Sequence, residues 1–496
     1  MLPIISLQNV TMGYAGGRTF ANINFEIKEN EHWAFTGENS SLIATLMDAM
    51  TGNVIVSKGK INFHFFEKLS FENEKLRPKI SPYHFVTLLS SGKNFKSLSG
   101  VNESYYQQRY NSYDAENSIT LGEYLRCIHT EKNTSVWTLK KIINELHLSH
   151  LLHEHVIKLS NGERKRVGIA AALLRSPVVL LLQHPFTGLD APSRDEIKKL
   201  INIISASGIT LALSTSAAEM PECITHVAVF SNGNTIQTFS RKAFQNYAMP
   251  AFKKPDVEKL KSLLSIGKMP VFDTMVRMKN VSIKYDDKLI LDNINWEIQQ
   301  GERWALSGPN GAGKTTLLSL INGDNPQAFA NDIILFDRKK GSGESIWDIK
   351  NKIGFFSAEL YQYFPLDTSC LHAVESGFYD TAGLFRPSHP RTASIALRWL
   401  AIMGIANFSK KSLRSVSASE RRLCLLARAL VKNPPLLILD EPCQGFNEYE
   451  QLFFKDLLDT ICALSNTTLI YVSHYREEIP ESVTHFFNLQ NGKQIK

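Results

Sequence analysis

No C-x-x-C pair occurs anywhere in this chain, and its six cysteines (127, 223, 370, 424, 443 and 462) are scattered through 496 residues. That spacing excludes a disulfide framework and a cysteine zinc site, and it fits reduced thiols in a cytosolic compartment. Long hydrophobic runs are missing as well. The most apolar stretch, Pro177 to Leu182, has only the length of a strand, so nothing here is long enough to span a bilayer. The N-terminus, Met1-Leu2-Pro3-Ile4, lacks the basic region and apolar segment of a secretion signal. An excess of one charge is missing too: 55 Lys and Arg against 48 Asp and Glu leave +7, a mild balance for this length that permits contact with RNA or an anionic membrane but more often marks a solvated surface.

What the chain does have is one scaffold written twice. Asn9-Val10 with Tyr14 recurs as Asn280-Val281 with Tyr285, Asn22-Ile23-Asn24 as Asn293-Ile294-Asn295, and Trp33-Ala34 as Trp304-Ala305, all at an offset of 271 residues. Further on, Ser160 answers Ser417 and Leu180-Leu181-Leu182 answers Leu437-Ile438-Leu439, both at 257. The first copy therefore carries about 14 extra residues, and the polar, Tyr-rich segment Asn102 to Asn117 reads as a surface insertion. Two homologous domains, 1–240 and 276–496, follow, with a linker over 241–275. The linker holds a short basic amphipathic helix around Phe252 to Leu264, suited either to packing on one domain or to a membrane surface or RNA.

The chemistry centres on Gly308-Pro309-Asn310-Gly311-Ala312-Gly313-Lys314-Thr315-Thr316, a complete G-x-x-x-x-G-K-[ST] between an apolar run and a helical run. Backbone N–H groups in such a loop close around phosphates, Lys314 reaches the β- and γ-phosphates, and the Thr315 hydroxyl ligates Mg²⁺. Downstream, Leu436-Leu437-Ile438-Leu439-Asp440-Glu441 is a buried strand ending in two carboxylates, at the end of a parallel sheet where ligands bind. Asp440 is placed to hold Mg²⁺ and Glu441 to polarise the attacking water. The strand Thr468 to Ser473 ends at His474, read as a γ-phosphate sensor in preference to a structural histidine. Tyr285 is placed either to stack on adenine or to fill the core.

These motifs and their order resemble the ATP-binding-cassette superfamily over nearly the whole chain. The resemblance implies an α/β fold: two P-loop NTPase domains in tandem, each with a mainly parallel sheet, an antiparallel β subdomain and a helical subdomain. It also implies that the two cassettes pair head to tail within a single chain, each ATP being completed by the other cassette's signature. The first copy's signature is Leu159-Ser160-Asn161-Gly162-Glu163, and its D-loop ends at Asp190. In the family's arrangement Ser160, Asn161, Gly162 and Asp190 would complete the site of Lys314, Thr315, Asp440, Glu441 and His474.

The complementary set is eroded throughout. Gly37 to Thr45 has Leu42, Ile43 and Ala44 where the second copy has Gly313, Lys314 and Thr315. Gln183-His184 replaces Asp-Glu, Thr215 replaces the sensing histidine, and the second signature reads Val416-Ser417-Ala418-Ser419-Glu420 without its glycines. Every intact part thus falls in one composite site and every eroded part in the other. One site that hydrolyses ATP and one that does not are expected.

Asn331 to Lys350, Asn322 to Gln327 and Ala429 to Lys432 resemble the ModF group of bacterial tandem cassettes, associated by name with molybdate transport. That implies a cytoplasmic ATP-binding component or regulator of a transport system, peripheral on the inner face of the cell membrane and partnered by a permease. Ala358 departs from the pattern, standing where importer cassettes carry a Q-loop glutamine, with Asn73 as its counterpart in the first copy. The alternative is a ribosome-associated ABC-F-type translation factor, but the linker is too short for the long charged arm of that group. DNA-repair cassettes would need coiled coils or zinc modules, which are not visible, so no DNA partner is expected.

Overall fold

The computed structural model describes residues 2–14, 18–68, 81–90, 119–128, 136–156, 159–231, 233–247, 254–267, 269–285, 288–357, 360 and 364–495. Ala358, Asn73 and the Asn102 to Asn117 segment lie outside the described residues. The chain forms two compact units, Met1–Pro250 and Ala251–Lys496.

Each unit contains an antiparallel sheet in which one strand face is buried. In the first unit Pro3–Gly13 lies between Thr19–Lys28 and Ile55–Phe63; in the second, Thr274–Tyr285 lies between Lys288–Gln299 and Asp332–Leu335. Within Thr19–Lys28, exposed and buried positions alternate from Asn22 to Ile27, as the period of two demands. The recurring asparagines mark a bulge. Asn9 and Asn280 sit at φ 50°, where the strand register shifts, and each backbone N–H is accepted by a side-chain oxygen, Asn24 Oδ1 at 2.9 Å and Asn295 Oδ1 at 3.0 Å. Asparagine tolerates this left-handed conformation better than a branched residue does.

The second sheet of each unit is six-stranded. Its order in the first unit is Val86–Leu89, Val179–Gln183, Thr210–Ser214, Trp33–Gly37, His226–Phe230, Ile236–Ser240. In the second it is Ile353–Ser357, Leu436–Asp440, Thr468–Val472, Arg303–Ser307, His485–Gln490, Lys493–Ile495. All neighbours are parallel except the last pair. Because these three strands run parallel, the loops after Ser307, Asp440 and Val472 leave the same end of the sheet, where α/β folds hold their ligands.

The pairing also corrects one sequence alignment. Gln183 pairs with Ser214 and Asp440 with Val472, so Thr215 matches Ser473 and it is Ser216 that occupies the place of His474. Thr215 is therefore not the residue that replaces the sensing histidine. A one-residue slip is invisible in two short apolar strands whose residue types are alike.

Helices cover both faces. In the second unit Trp399, on the helix Pro390–Ile402, is fully buried in a cluster with Leu425, Phe454 and Leu457. The linker helix Val257–Leu264 belongs to this unit. Asp256 caps it by accepting from the Lys259 N–H, and Leu260 and Leu263 are buried in the same cluster. Asn433 donates to the Leu263 and Ile266 carbonyls at 2.9 and 3.2 Å. Its apolar face is thus covered by protein, which is the packing alternative and removes that face from lipid or RNA. Among the described residues no helix is long and apolar enough to cross a membrane. Leu263→Ala should destabilise the second unit by about 2–5 kcal/mol through the cavity it leaves. Denaturant unfolding followed by hydrogen exchange would show the loss confined to 251–496.

Candidate functional site

The loop of the second unit leaves the strand Arg303–Ser307 through Gly308, at φ 150°. A Cβ there would lie 2.1 Å from the Leu489 carbonyl oxygen, so the neighbouring strand requires glycine. Gly311 and Gly313 are left-handed at φ 81° and 103°, and Gly313 caps the helix Lys314–Asn322 with no side-chain hydrogen bond to its first turn. The opening N–H groups are therefore not taken up by a capping side chain. Lys314 is buried, and its Nζ donates to the carbonyls of Gly308 (2.6 Å) and Pro309 (3.1 Å), curling back over the loop. Pro309, Asn310, Gly311 and Thr315 are exposed, Thr316 is half-buried and Ala312 is buried beneath them. The glycine cradle, the inward ammonium and the exposed Thr315 hydroxyl form a donor set that fits Mg²⁺-triphosphate.

Two strands bring the rest. Asp440, half-buried, ends its strand opposite Ser357 and Val472, and Glu441 turns away at φ 49° while its N–H donates to the Val472 carbonyl at 3.0 Å. His474 Nε2 lies 3.0 Å from Glu441 Oε1, and the imidazole is nearly enclosed. Burial opposes the charge of Glu441, but His474, Lys314 and Arg422 overcome it and hold the carboxyl below its ordinary range. A base that stays ionised beside a phosphate loop can orient and polarise water. Sequence reasoning missed Arg422, whose only clue was its place in the basic pair after the second signature. Tyr285 is half-buried; its hydroxyl accepts from Asn325 Nδ2 at 2.9 Å and the ring packs at the edge of the core.

The first unit is built differently at the same place. Gly37 survives at φ 119° because a Cβ would sit 2.4 Å from the Phe230 carbonyl oxygen. Beyond it the helix Ser40–Met50 starts earlier, capped by Asn39, whose Oδ1 accepts from Leu42 N–H at 3.1 Å. The loop has become a capped helix turn, with its donors engaged internally. Leu42 and Ile43 are buried in the core. His184 keeps the left-handed backbone of Glu441, at φ 46°, and its carbonyl accepts from Lys165 Nζ at 2.8 Å. With burial as its cause, the Lys165 amine is lowered to about 8. Tyr14 donates to Asp48, and burial raises its hydroxyl.

The first unit's signature is well formed. Ser160 caps the helix Asn161–Leu174 in a reciprocal box with Glu163, and Ser160 and Asn161 are exposed at its start. Gly162 faces Ser193, whose N–H donates to Asp190 Oδ1 at 3.1 Å, so Gly162 and Asp190 are tied to one patch. In the second unit Ser419 is buried where Gly162 stands. The structure thus gathers Lys314, Asp440, Glu441 and His474 in one unit, and Ser160, Asn161, Gly162 and Asp190 in the other.

Because the folded Glu441 carboxyl titrates below its unfolded value, it adds stability above the ordinary carboxylate range, and that stability is lost as pH falls through its depressed value. Between about pH 6 and 3 the wild type should therefore lose stability more steeply than Glu441→Gln, as read by calorimetry at a series of pH values. Equal slopes would mean that Glu441 is not held ionised.

The model of the family described as ABC transporter matches residues 20–187 and 291–444. The ABC transporter ATP-binding protein ModF of Escherichia coli is 30% identical, over 92% of this chain and 91% of its own. An uncharacterized ABC transporter ATP-binding protein of Schizosaccharomyces pombe is 32% identical, over 100% and 99%. A solved structure described as "Model of ribosome-bound archaeal Pelota and ABCE1" shares the fold at a TM-score of 0.59 and 15% identity, over 97% of this chain and 76% of that one. With both matched segments falling on the two phosphate-loop units, the chain belongs to the ABC transporter family and carries two ATP-binding cassettes in tandem.

Proposed function

We propose that this protein hydrolyses ATP at one site, that of the second cassette, and that the first cassette contributes a signature and a fold but no hydrolysis. The observation that carries this reading is the contrast between the two loops. One holds Lys314 over glycines beside a Glu441–His474 contact of 3.0 Å; the other is a capped helix turn with Ile43 buried in place of lysine. Thr315 and Asp440 are the residues that would hold Mg²⁺, which would neutralise charge on the phosphates. Glu441 orients and polarises the attacking water, His474 donates toward the terminal phosphate, and Lys314 draws electron density from the bridging oxygens. Tyr285 supports the adenine.

Ser160, Asn161, Gly162 and Asp190 complete this site in the family's head-to-tail manner, within one chain. ATP then closes the cassettes and hydrolysis releases them, a cycle whose work goes to a partner. The likeness to ModF supports a role as an ATP-binding component or regulator of a transport system, of molybdate type by that protein's name, acting from the cytoplasm against a membrane permease. The ribosome, to which a structural relative is described as bound, is the alternative partner.

Glu441→Gln should reduce ATP turnover by about a hundredfold or more while leaving ATP bound. Ser160→Arg should abolish turnover without altering the fold of either cassette, measured by steady-state phosphate release and circular dichroism. Purification of Glu441→Gln with ATP from its native cell would then name the partner. Co-purifying permease supports the transport reading, and ribosomal subunits replace it.

A further inference from the structure

The turn that carries His474 is held by groups that play no part in the reaction just described. Ser473, buried at 4% exposure, donates its hydroxyl to Glu478 Oε2 at 2.6 Å, and the same Oγ accepts from the Tyr475 N–H at 3.0 Å. The Ser473 side chain on one side of His474 and the Tyr475 backbone on the other are therefore joined at a single oxygen. Glu478 belongs to the short 3₁₀ turn Arg476–Glu478, and its N–H donates to the Tyr475 carbonyl at 3.3 Å, tying the turn back to the loop. Beneath the turn, Tyr471 and Cys443 are buried with Oη and Sγ 3.2 Å apart, joining the strand before His474 to the segment after Glu441. Burial and then the Glu478 charge push the Cys443 thiol up to about 12.

The first cassette is an internal comparison, because it has lost the histidine and the glutamate while keeping the sheet. There Thr215 stands at the Ser473 position, and its buried Oγ1 has no hydrogen-bond partner among the described residues. Glu219, in the matching 3₁₀ turn Ala217–Glu219, points to Arg194 instead, at 2.8 Å. Leu213 and Phe186 replace Tyr471 and Cys443. The sheet and the turn thus form without the hydroxyl–carboxylate contact. Where His474 must meet Glu441, the contact is present.

We propose that Ser473 and Glu478 are positioning residues which fix the His474 imidazole against Glu441, so that both are set for hydrolysis. This rests on the reading of the second cassette as the ATPase site. A hydroxyl–carboxylate pair suits the task, since a short charge-assisted bond is both strong and directional. A loosened histidine would cost rate more than ATP affinity, because displacement by a fraction of an ångström to an ångström weakens contacts made in the transition state.

The test uses the full chain. Ser473→Ala and Glu478→Ala should each lower kcat for ATP by about ten- to hundredfold, with KM within about twofold and an unchanged circular dichroism spectrum. The double variant should fall no further than the worse single one. Ser473→Thr, which keeps the donor, should restore most of the rate, whereas Glu478→Gln, which keeps an acceptor without its charge, should fall between the wild type and the alanine variant and serves if the alanine variant fails to fold. Histidine-ring NMR signals, assigned through His474→Ala, should shift or broaden in Ser473→Ala and stay in place in Ser473→Thr. Unchanged kcat in Ser473→Ala, or lowered kcat with an unmoved His474 signal, would overturn the proposal. If the wild type and Glu441→Gln turn over ATP alike, the ATPase reading is what fails, and the NMR comparison still decides whether this contact holds the histidine.

Discussion

A backbone N–H can serve a phosphate only if nothing in the protein has already claimed it. That accounting separates the two cassettes more sharply than any single catalytic residue. At Gly313 the helix begins without a capping side chain, in a glycine loop that folds around the Lys314 ammonium. At Asn39 the side-chain oxygen takes the Leu42 N–H, the helix starts earlier, and the place of the ammonium is filled by the buried side chain of Ile43. Restoring one lysine there would place a charge in an apolar core and would not rebuild the cradle.

The same division runs through the strand ends. Glu441 and His184 share a left-handed backbone, which shows that this turn is a property of the fold rather than of catalysis. What differs is the company. Glu441 meets His474 and the charges of Lys314 and Arg422, whereas the His184 carbonyl takes a buried lysine amine. Gly37 and Gly308 both persist because a neighbouring carbonyl leaves no room for a Cβ, so their retention says nothing about activity.

Much of this was legible in the sequence. The constant offset between copies found the doubled scaffold, and glycine and carboxylate spacing found the loop and the strand end that now lie together in the second cassette. The repeated asparagines were visible only as markers, since their left-handed bulge depends on pairing across strands. The capped helix turn at Asn39 was not foreseen: it needs the competition between a side-chain cap and an empty loop to be resolved in three dimensions. Thr215 was placed one residue off because apolar strands carry no local register signal. Ser473 and Glu478 went unnoticed for a similar reason, as a serine and a glutamate five residues apart signal nothing until a turn brings them to 2.6 Å.

The most direct measurement is vanadate trapping of a photoreactive ATP analogue on the intact chain, followed by peptide mapping of the label. An account with a single hydrolytic site predicts one trapped nucleotide per chain, attached within the second cassette and dependent on Mg²⁺. Trapped label on the first cassette, around Gly37 to Thr45, or two trapped nucleotides per chain, would contradict it.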